Sequence, residues 1–262
     1  MFKTVEKLIK YPRLTQEYPK KALDPSLFVG RPEVDQDKCS GCGVCMGHCP
    51  SGAIKSDTGS AKITIDYDKC IFCALCEELC PANAVGMTHD FELARKDRKS
   101  LNSRAFTVNE DSIPAISEDE LETRLKKRVS KLFGRSLQIR EVDAGSCNGC
   151  DYEINALSNP FNDIERLGIH FVASPRHADM LLVTGPVSRN MEEALIKTYN
   201  AAPDPKLVVA AGACACSGGI FKDCYAAGKG IDSVVPVDVY IPGCPPRPQA
   251  ILYGILKALD KV

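Results

Sequence analysis

Fourteen of the 262 residues are cysteines, and their spacing is what could do chemistry in this chain. Cys39, Cys42, Cys45 and Cys49 form one group. Cys70, Cys73, Cys76 and Cys80 form another, each 31 residues after its counterpart, and Pro50 and Pro81 close the two runs. So regular an offset marks an internal repeat. Thiolates in this number hold either zinc or an iron–sulfur core. Zinc is usually taken by two short C-x2-4-C pairs, a pattern the eight-cysteine repeat with its two prolines does not fit. The run C-x2-C-x2-C-x3-C-P instead suits a pair of [4Fe–4S] clusters, in which the fourth cysteine of each run serves the other cluster. One cluster is then assigned to Cys39, Cys42, Cys45 and Cys80, the other to Cys70, Cys73, Cys76 and Cys49. The small residues Ser40, Gly41, Gly43 and Ala74 let backbone N–H groups approach the sulfurs.

The other six cysteines, Cys147, Cys150, Cys214, Cys216, Cys224 and Cys244, follow a cysteine-free stretch over residues 81–146. Short apolar runs alternate here with helical stretches. Strands are predicted at Leu137–Val142, Ile169–Val172, Met180–Val183, Leu207–Ala210 and Val237–Ile241. Helices are predicted at Asp151–Leu157, Met191–Asn200 and Gln249–Leu259. This alternation argues for an α/β layer fold with a parallel sheet. Sites in such sheets gather at the carboxyl ends of the strands. Cys147, Cys214 and Cys244 each lie just after a predicted strand, so three stretches would deliver thiolates to one edge.

The chain divides into a basic N-terminal segment (1–30), a dicluster region (31–94), a linker with an amphipathic helix (95–134) and the α/β region (135–262). Within the first segment, Met1–Lys10 has the spacing of a short amphipathic helix. Residues 95–116 read as a polar linker. A helix follows, with Ser117 and Glu120 as a capping box, Leu121, Leu125, Val129, Leu132 and Phe133 on one side, and a basic face of Arg124, Lys126, Lys127, Arg128 and Lys131. Hydrophobic residues make up 44% and charged residues 26%, a globular balance that excludes global disorder. A formal charge of −1 gives no global reason to bind nucleic acid. The longest apolar runs reach about ten residues against the roughly 20 of a spanning helix. The N-terminus carries no apolar core with a small-residue cleavage site, so the clustered thiols are expected in a reducing compartment.

Four stretches carry a more specific signal: Gly145-Ser146-Cys147-Asn148-Gly149-Cys150, Ser174-Pro175-Arg176-His177-Ala178-Asp179, Gly212-Ala213-Cys214 with Gly218-Gly219, and Val237-Asp238-Val239-Tyr240-Ile241-Pro242-Gly243-Cys244-Pro245-Pro246. Over roughly residues 120–262 they resemble the small subunit of energy-converting (group 4) membrane-bound [NiFe] hydrogenases and the homologous 20-kDa subunit of complex I. Residues 1–100 look like the two-[4Fe–4S] ferredoxin-type subunit of the same complexes, so the chain looks like two normally separate subunits fused. The resemblance implies a flavodoxin-like α/β domain with a third [4Fe–4S] cluster on Cys147, Cys150, Cys214 and Cys244. The Cys147-x-x-Cys150 spacing, in place of two adjacent cysteines, favours the hydrogenase branch.

The nickel–iron site is then expected on a separate large subunit, with no catalytic metal in this chain. The implied function is electron transfer in an oxidoreductase complex, from a low-potential donor through three [4Fe–4S] clusters to nickel–iron, where protons become H2. Implied partners are that large subunit, membrane subunits of the same complex and a ferredoxin-, formate- or CO-linked donor. The implied location is peripheral, on the cytoplasmic face of the membrane. The rival readings are a complex I-like or sulfur-reducing oxidoreductase subunit without nickel, and a stand-alone electron carrier. Glu153 is read as a proton relay or as a solvated or capping carboxylate. Arg176 and His177 are read as lining the large-subunit interface near the clustered loops, or as packing residues. Cys216 and Cys224 are read as plain small residues or as auxiliary thiols.

Overall fold

The computed structural model describes residues 7, 10, 14–19, 21, 23–24, 28–56, 63–104 and 134–259. The helices expected within 1–10 and 117–133 lie, apart from Lys7 and Lys10, outside these residues.

The dicluster region is built from two antiparallel pairs. β1 (Pro32–Val34) pairs with β4 (Val85–Met87), and β2 (Ile54–Ser56) with β3 (Ile63–Ile65). Each cysteine run carries one four-residue helix, α1 (Val44–Gly47) or α2 (Leu75–Glu78). Ile54, Ile63, Ile65, Tyr67 and Val85 are buried beneath them.

The second region is a five-stranded parallel sheet of β5 (Leu137–Asp143), β6 (Ile169–Phe171), β7 (Met180–Thr184), β8 (Leu207–Ala211) and β9 (Val239–Ile241). Its order is β6-β5-β7-β8-β9, the flavodoxin-like arrangement. β7 and β8 are buried along their whole length, as continuous apolar runs covered on both faces should be. The covering helices are α3 (Gly149–Ala156), α4 (Arg189–Ala201), α5 (Ala213–Ser217) and α6 (Pro248–Leu259). All five predicted strands and all three predicted helices are present, displaced by one or two residues at their ends. The dipeptide Val237–Asp238 is not part of β9. Asp238 instead accepts the Val208 amide at 2.8 Å and anchors the start of β8.

The two regions pack as one body. Ile54, Ile65 and Tyr67 share a hydrophobic cluster with Val142, Leu181, Val183 and Val208. Near the N-terminus, Tyr18 is 4% exposed in the sheet-and-α6 cluster, and the Gln16 amide donates to the Phe161 carbonyl at 2.8 Å. The stretch expected as a polar linker from residue 95 opens with packed residues. Arg95 exchanges two backbone hydrogen bonds with Tyr240 of β9, at 3.0 and 2.8 Å, extending the sheet edge. Leu101 is buried, and the Asn102 amide donates to Asp66 at 2.7 Å. These residues are polar in composition because they hydrogen-bond the outer edge of β9 and a part-buried carboxylate, which hydropathy alone cannot distinguish from solvation.

Candidate iron–sulfur sites

Three C-x-x-C turns have the same backbone. In Cys42–Cys45, Cys73–Cys76 and Cys147–Cys150, the residue after the first cysteine is left-handed: Gly43 at φ 74, ψ 0, Ala74 at φ 60, ψ 0, and Asn148 at φ 66, ψ −1. A helix starts one residue later in each case, so the second cysteine falls in its first turn. The first cysteine of each turn is exposed. The left-handed residue reverses the chain so that both sulfurs of a turn can face one volume. For Ala74 it has a steric cost that glycine avoids.

The remaining thiols group around these turns. Burial raises the Cys45 thiol, with the negative forms of Cys39 and Cys42 adding to it. Cys70 is pushed up to about 12 by burial, then by Cys76, Cys49 and Cys73. Cys49, from the other run, is therefore electrostatically a neighbour of the second run. In the α/β region, burial and then the charges of Cys214, Cys244, Asp151 and Cys147 raise Cys150. Cys214 is pushed up to about 11 by burial, then by Cys244 and Cys147. Thiols that repel one another as thiolates suit a site where a cationic core supplies the compensating charge. Among the described residues, no three or more His, Cys, Asp or Glu converge closely enough for a single metal ion. A four-iron cluster asks for a different arrangement, with one cysteine thiolate for each iron.

The α/β set is held by loops leaving the carboxyl ends of β5, β8 and β9. The Gly212 amide donates to the Ile241 carbonyl at 2.8 Å and the Ala213 amide to the Gly243 carbonyl at 2.7 Å, locking two of the loops together. A Cβ on Gly212 would stand 2.6 Å from the Cys150 sulfur. The donor chemistry and this cradle fit a [4Fe–4S] core.

The sequence comparisons agree with this geometry. The model of the NADH ubiquinone oxidoreductase 20-kDa subunit matches residues 147–258, and that of the 4Fe-4S dicluster domain matches residues 31–81. The probable membrane-bound hydrogenase subunit mbhJ of Pyrococcus furiosus is 49% identical over 142 residues, covering 53% of this chain and 85% of that protein. Formate hydrogenlyase subunit 7 of Escherichia coli is 51% identical over 141 residues, 54% of this chain and 55% of its own length. An NADH-quinone oxidoreductase subunit of Geobacter metallireducens is 52% identical over 113 residues, 43% of this chain and 66% of its own. The chain belongs to the family of the 20-kDa complex I and [NiFe] hydrogenase subunit, with a 4Fe–4S dicluster domain in front of it. As a member of this family it is a subunit of an oxidoreductase complex. Among the described residues, no helix is long and apolar enough to cross a membrane.

In this family member the dicluster and α/β sites meet across a seam. The charge of Cys73 is among those that raise Cys244. The buried Ser217 hydroxyl, three residues past Cys214, donates to the Asp68 carbonyl at 2.7 Å, two residues before Cys70. Arg98 spans Asp68 at 2.8 Å and Asp232 at 2.9 Å, and the two carboxylates hold its guanidinium charged. Sequence reasoning missed this seam because its partners lie 30 to 149 positions apart.

A carboxyl pair was also missed. Glu141 on β5 is pushed up to about 7 by burial and by Asp151 on α3. Burial opposes ionisation of Asp151, but hydrogen bonds from Glu141, Ser146 and Thr184 outweigh it and hold Asp151 low. Below about pH 7 the pair therefore carries one proton, on Glu141, and it braces the Ser146–Cys150 turn against β5 and β7. Thr184 donates to Asp151 at 2.9 Å.

Glu153 is half-buried on α3, raised by burial, with Arg247 opposing. Arg176 and His177 are exposed, and they do not join the cysteine edge. Arg135, just before β5, donates to the His177 carbonyl at 3.0 Å, so this turn sits at the amino end of the sheet. The expectation that places Arg176 beside the clustered loops is thereby corrected. The connection from β6 must cross β5 and enter β7 at its start, which puts it at the opposite end from Cys147. Cys216 is buried, with its sulfur 3.6 Å from the Ile241 carbonyl, while Cys224 is exposed.

Gly212→Ala tests the cradle. At φ 94, ψ 158 the residue occupies a backbone region that is essentially glycine-only, at a cost of about 1–3 kcal/mol for another residue. The added methyl also meets Cys150. The variant is expected to lose the α/β cluster and keep the dicluster pair, as read by iron content and the reduced-state EPR spectrum.

Proposed function

We propose that this chain is the iron–sulfur electron-transfer subunit of a membrane-associated [NiFe]-hydrogenase-type complex. Electrons from a low-potential, ferredoxin-, formate- or CO-linked donor would cross it to the nickel–iron site of a partner large subunit, where protons are reduced to H2. When bound, each of three [4Fe–4S] groups supplies reversible one-electron chemistry. Cys39, Cys42, Cys45 and Cys80 would hold the outer group, Cys49, Cys70, Cys73 and Cys76 the inner one, and Cys147, Cys150, Cys214 and Cys244 the third.

The observation that carries this reading is the shared backbone of the three C-x-x-C turns, together with the seam at which Ser217, three residues past Cys214, donates to the Asp68 carbonyl, two residues before Cys70. The first supports a common cofactor. The second supports a fixed order of outer, inner and α/β groups. The protein's own part is to hold that order rigidly, through Ser217, Arg98 and the Arg95–Tyr240 edge, and to keep water from the buried cysteines.

Cys147, Asn148, Cys244 and Pro245 are exposed at the carboxyl edge, and Tyr152 beside them is 77% exposed. This edge is the proposed docking face for the large subunit and lies at the opposite end of the sheet from Arg176. A peripheral position, facing the cytoplasm and against membrane subunits, belongs to the same proposal. The alternative is a complex I-like or sulfur-reducing subunit without nickel, and the identity to the Geobacter metallireducens NADH-quinone oxidoreductase subunit supports its complex I-like form.

Hydrogen exchange on the native complex and on the isolated chain tests the docking face. Residues 145–154 and 242–247 are expected to be strongly protected only in the complex, and equal protection in both would contradict the proposal. Stoichiometric nickel in that complex separates the hydrogenase reading from the nickel-free one.

A further inference from the structure

We infer that the Cys49–Gly52 turn gives the inner dicluster group a higher reduction potential than the outer one, so that electrons pass downhill toward the α/β region. The inference rests on the crossed cysteine assignment above and concerns what the two halves of the repeat do differently.

At the Cys49 and Cys80 turns the backbone is nearly the same. The Cys49 sulfur accepts from the Ala53 amide at 3.4 Å, and the Cys80 sulfur from the Ala84 amide at 3.2 Å. Gly52 and Asn83, at equivalent positions, are both left-handed, with φ 59 and 47. The difference is in the side chains. Position 51 is serine, and its equivalent 31 residues on is Ala82. Ser51 is 4% exposed, and its hydroxyl lies 3.7 Å from the Cys49 sulfur. A sulfur that ligates iron carries no proton, so the hydroxyl must be the donor. Hydrogen bonds to ligating sulfur favour the more negative, reduced state and raise the potential.

A second contribution comes from the other region of the chain. Lys222 follows the turn Gly219–Phe221 just past Cys214, and its ammonium lies 3.8 Å from where a Cβ on Gly52 would stand. That positive charge reaches the Cys49 turn only when the two regions are packed together. Glu77 and Glu78 act in the opposite sense. They are exposed, and so screened by water, and they lie between Cys76 of one set and Cys80 of the other, so they discriminate little between the two.

The test is an EPR-monitored redox titration of the full chain, loaded anaerobically. Two dicluster midpoints should be resolved. Ser51→Ala, which copies the residue the repeat already tolerates at position 82, should lower the higher midpoint and leave the other in place. The expected change is about three- to tenfold in the reduced-to-oxidised ratio at fixed potential, about 28 to 59 mV for a one-electron couple. Both midpoints unchanged, or a shift of the lower one instead, would overturn the inference. Should the Ser51→Ala chain fail to load, Lys222→Gln, which touches no ligating sulfur, decides the matter: a fall of the higher midpoint supports it and no shift overturns it. A parent chain without two [4Fe–4S] signals would overturn the cluster assignment itself, an outcome distinct from unmoved midpoints.

Discussion

Cys147→Ser is expected to remove the α/β cluster, lower the iron content by about four per chain and stop electron delivery beyond the dicluster region. A serine hydroxyl is a far harder, more basic ligand than a thiolate and holds iron of this kind poorly. The charge of Cys147 is among those that raise Cys150, Cys214 and Cys244. It is also exposed, so the substitution leaves the core of the sheet untouched. The reduced-state EPR spectrum should keep the coupled signals of the dicluster pair. Loss of all three signals would mean that the α/β cluster is needed for the dicluster region to form.

Cys49→Ser should have the less intuitive result. Cys49 belongs by sequence to the first run, but it adjoins Cys70 of the second. The cluster held by Cys70, Cys73 and Cys76 should therefore be lost or converted, while that of Cys39, Cys42 and Cys45 persists. EPR of the Cys49→Ser chain beside that of Cys80→Ser decides it, because the two variants should affect opposite clusters. If Cys49→Ser instead damages the cluster of its own run, the crossed assignment is wrong. Because the inner group bridges to the α/β region, this variant should also interrupt electron passage, whereas the signal of the Cys147 group survives.

Much of this architecture is legible in the sequence because the physics that fixes it is local. β7 and β8 announce themselves as unbroken apolar runs, since a parallel strand covered on both faces has no solvent side to mark with polar residues. The cysteine runs are legible because a duplicated spacing has few explanations. The shared left-handed turn is only half legible. Gly43 signals it, but Ala74 and Asn148 adopt it without a glycine. The seam is not legible at all. Asp68, Arg98, Ser217 and Asp232 are ordinary polar residues until the fold brings them together, and the segment from Arg95 to Asn102 looks like a linker because its polar groups are used internally. Glu141 and Asp151 illustrate the same limit, since a strand residue and a helix residue ten positions apart become a proton-sharing pair only once α3 is laid against β5. Arg176 shows how a motif can be recognised and still be misplaced, because membership of a motif says nothing about which end of the sheet it occupies.

The claim on which the rest depends is that twelve of the fourteen cysteines hold three four-iron groups. Iron and acid-labile sulfide, measured per chain on anaerobically purified protein, test it most directly. The account predicts about twelve of each, with zinc near zero. About eight of each would leave the Cys147, Cys150, Cys214 and Cys244 set without its cluster and contradict it.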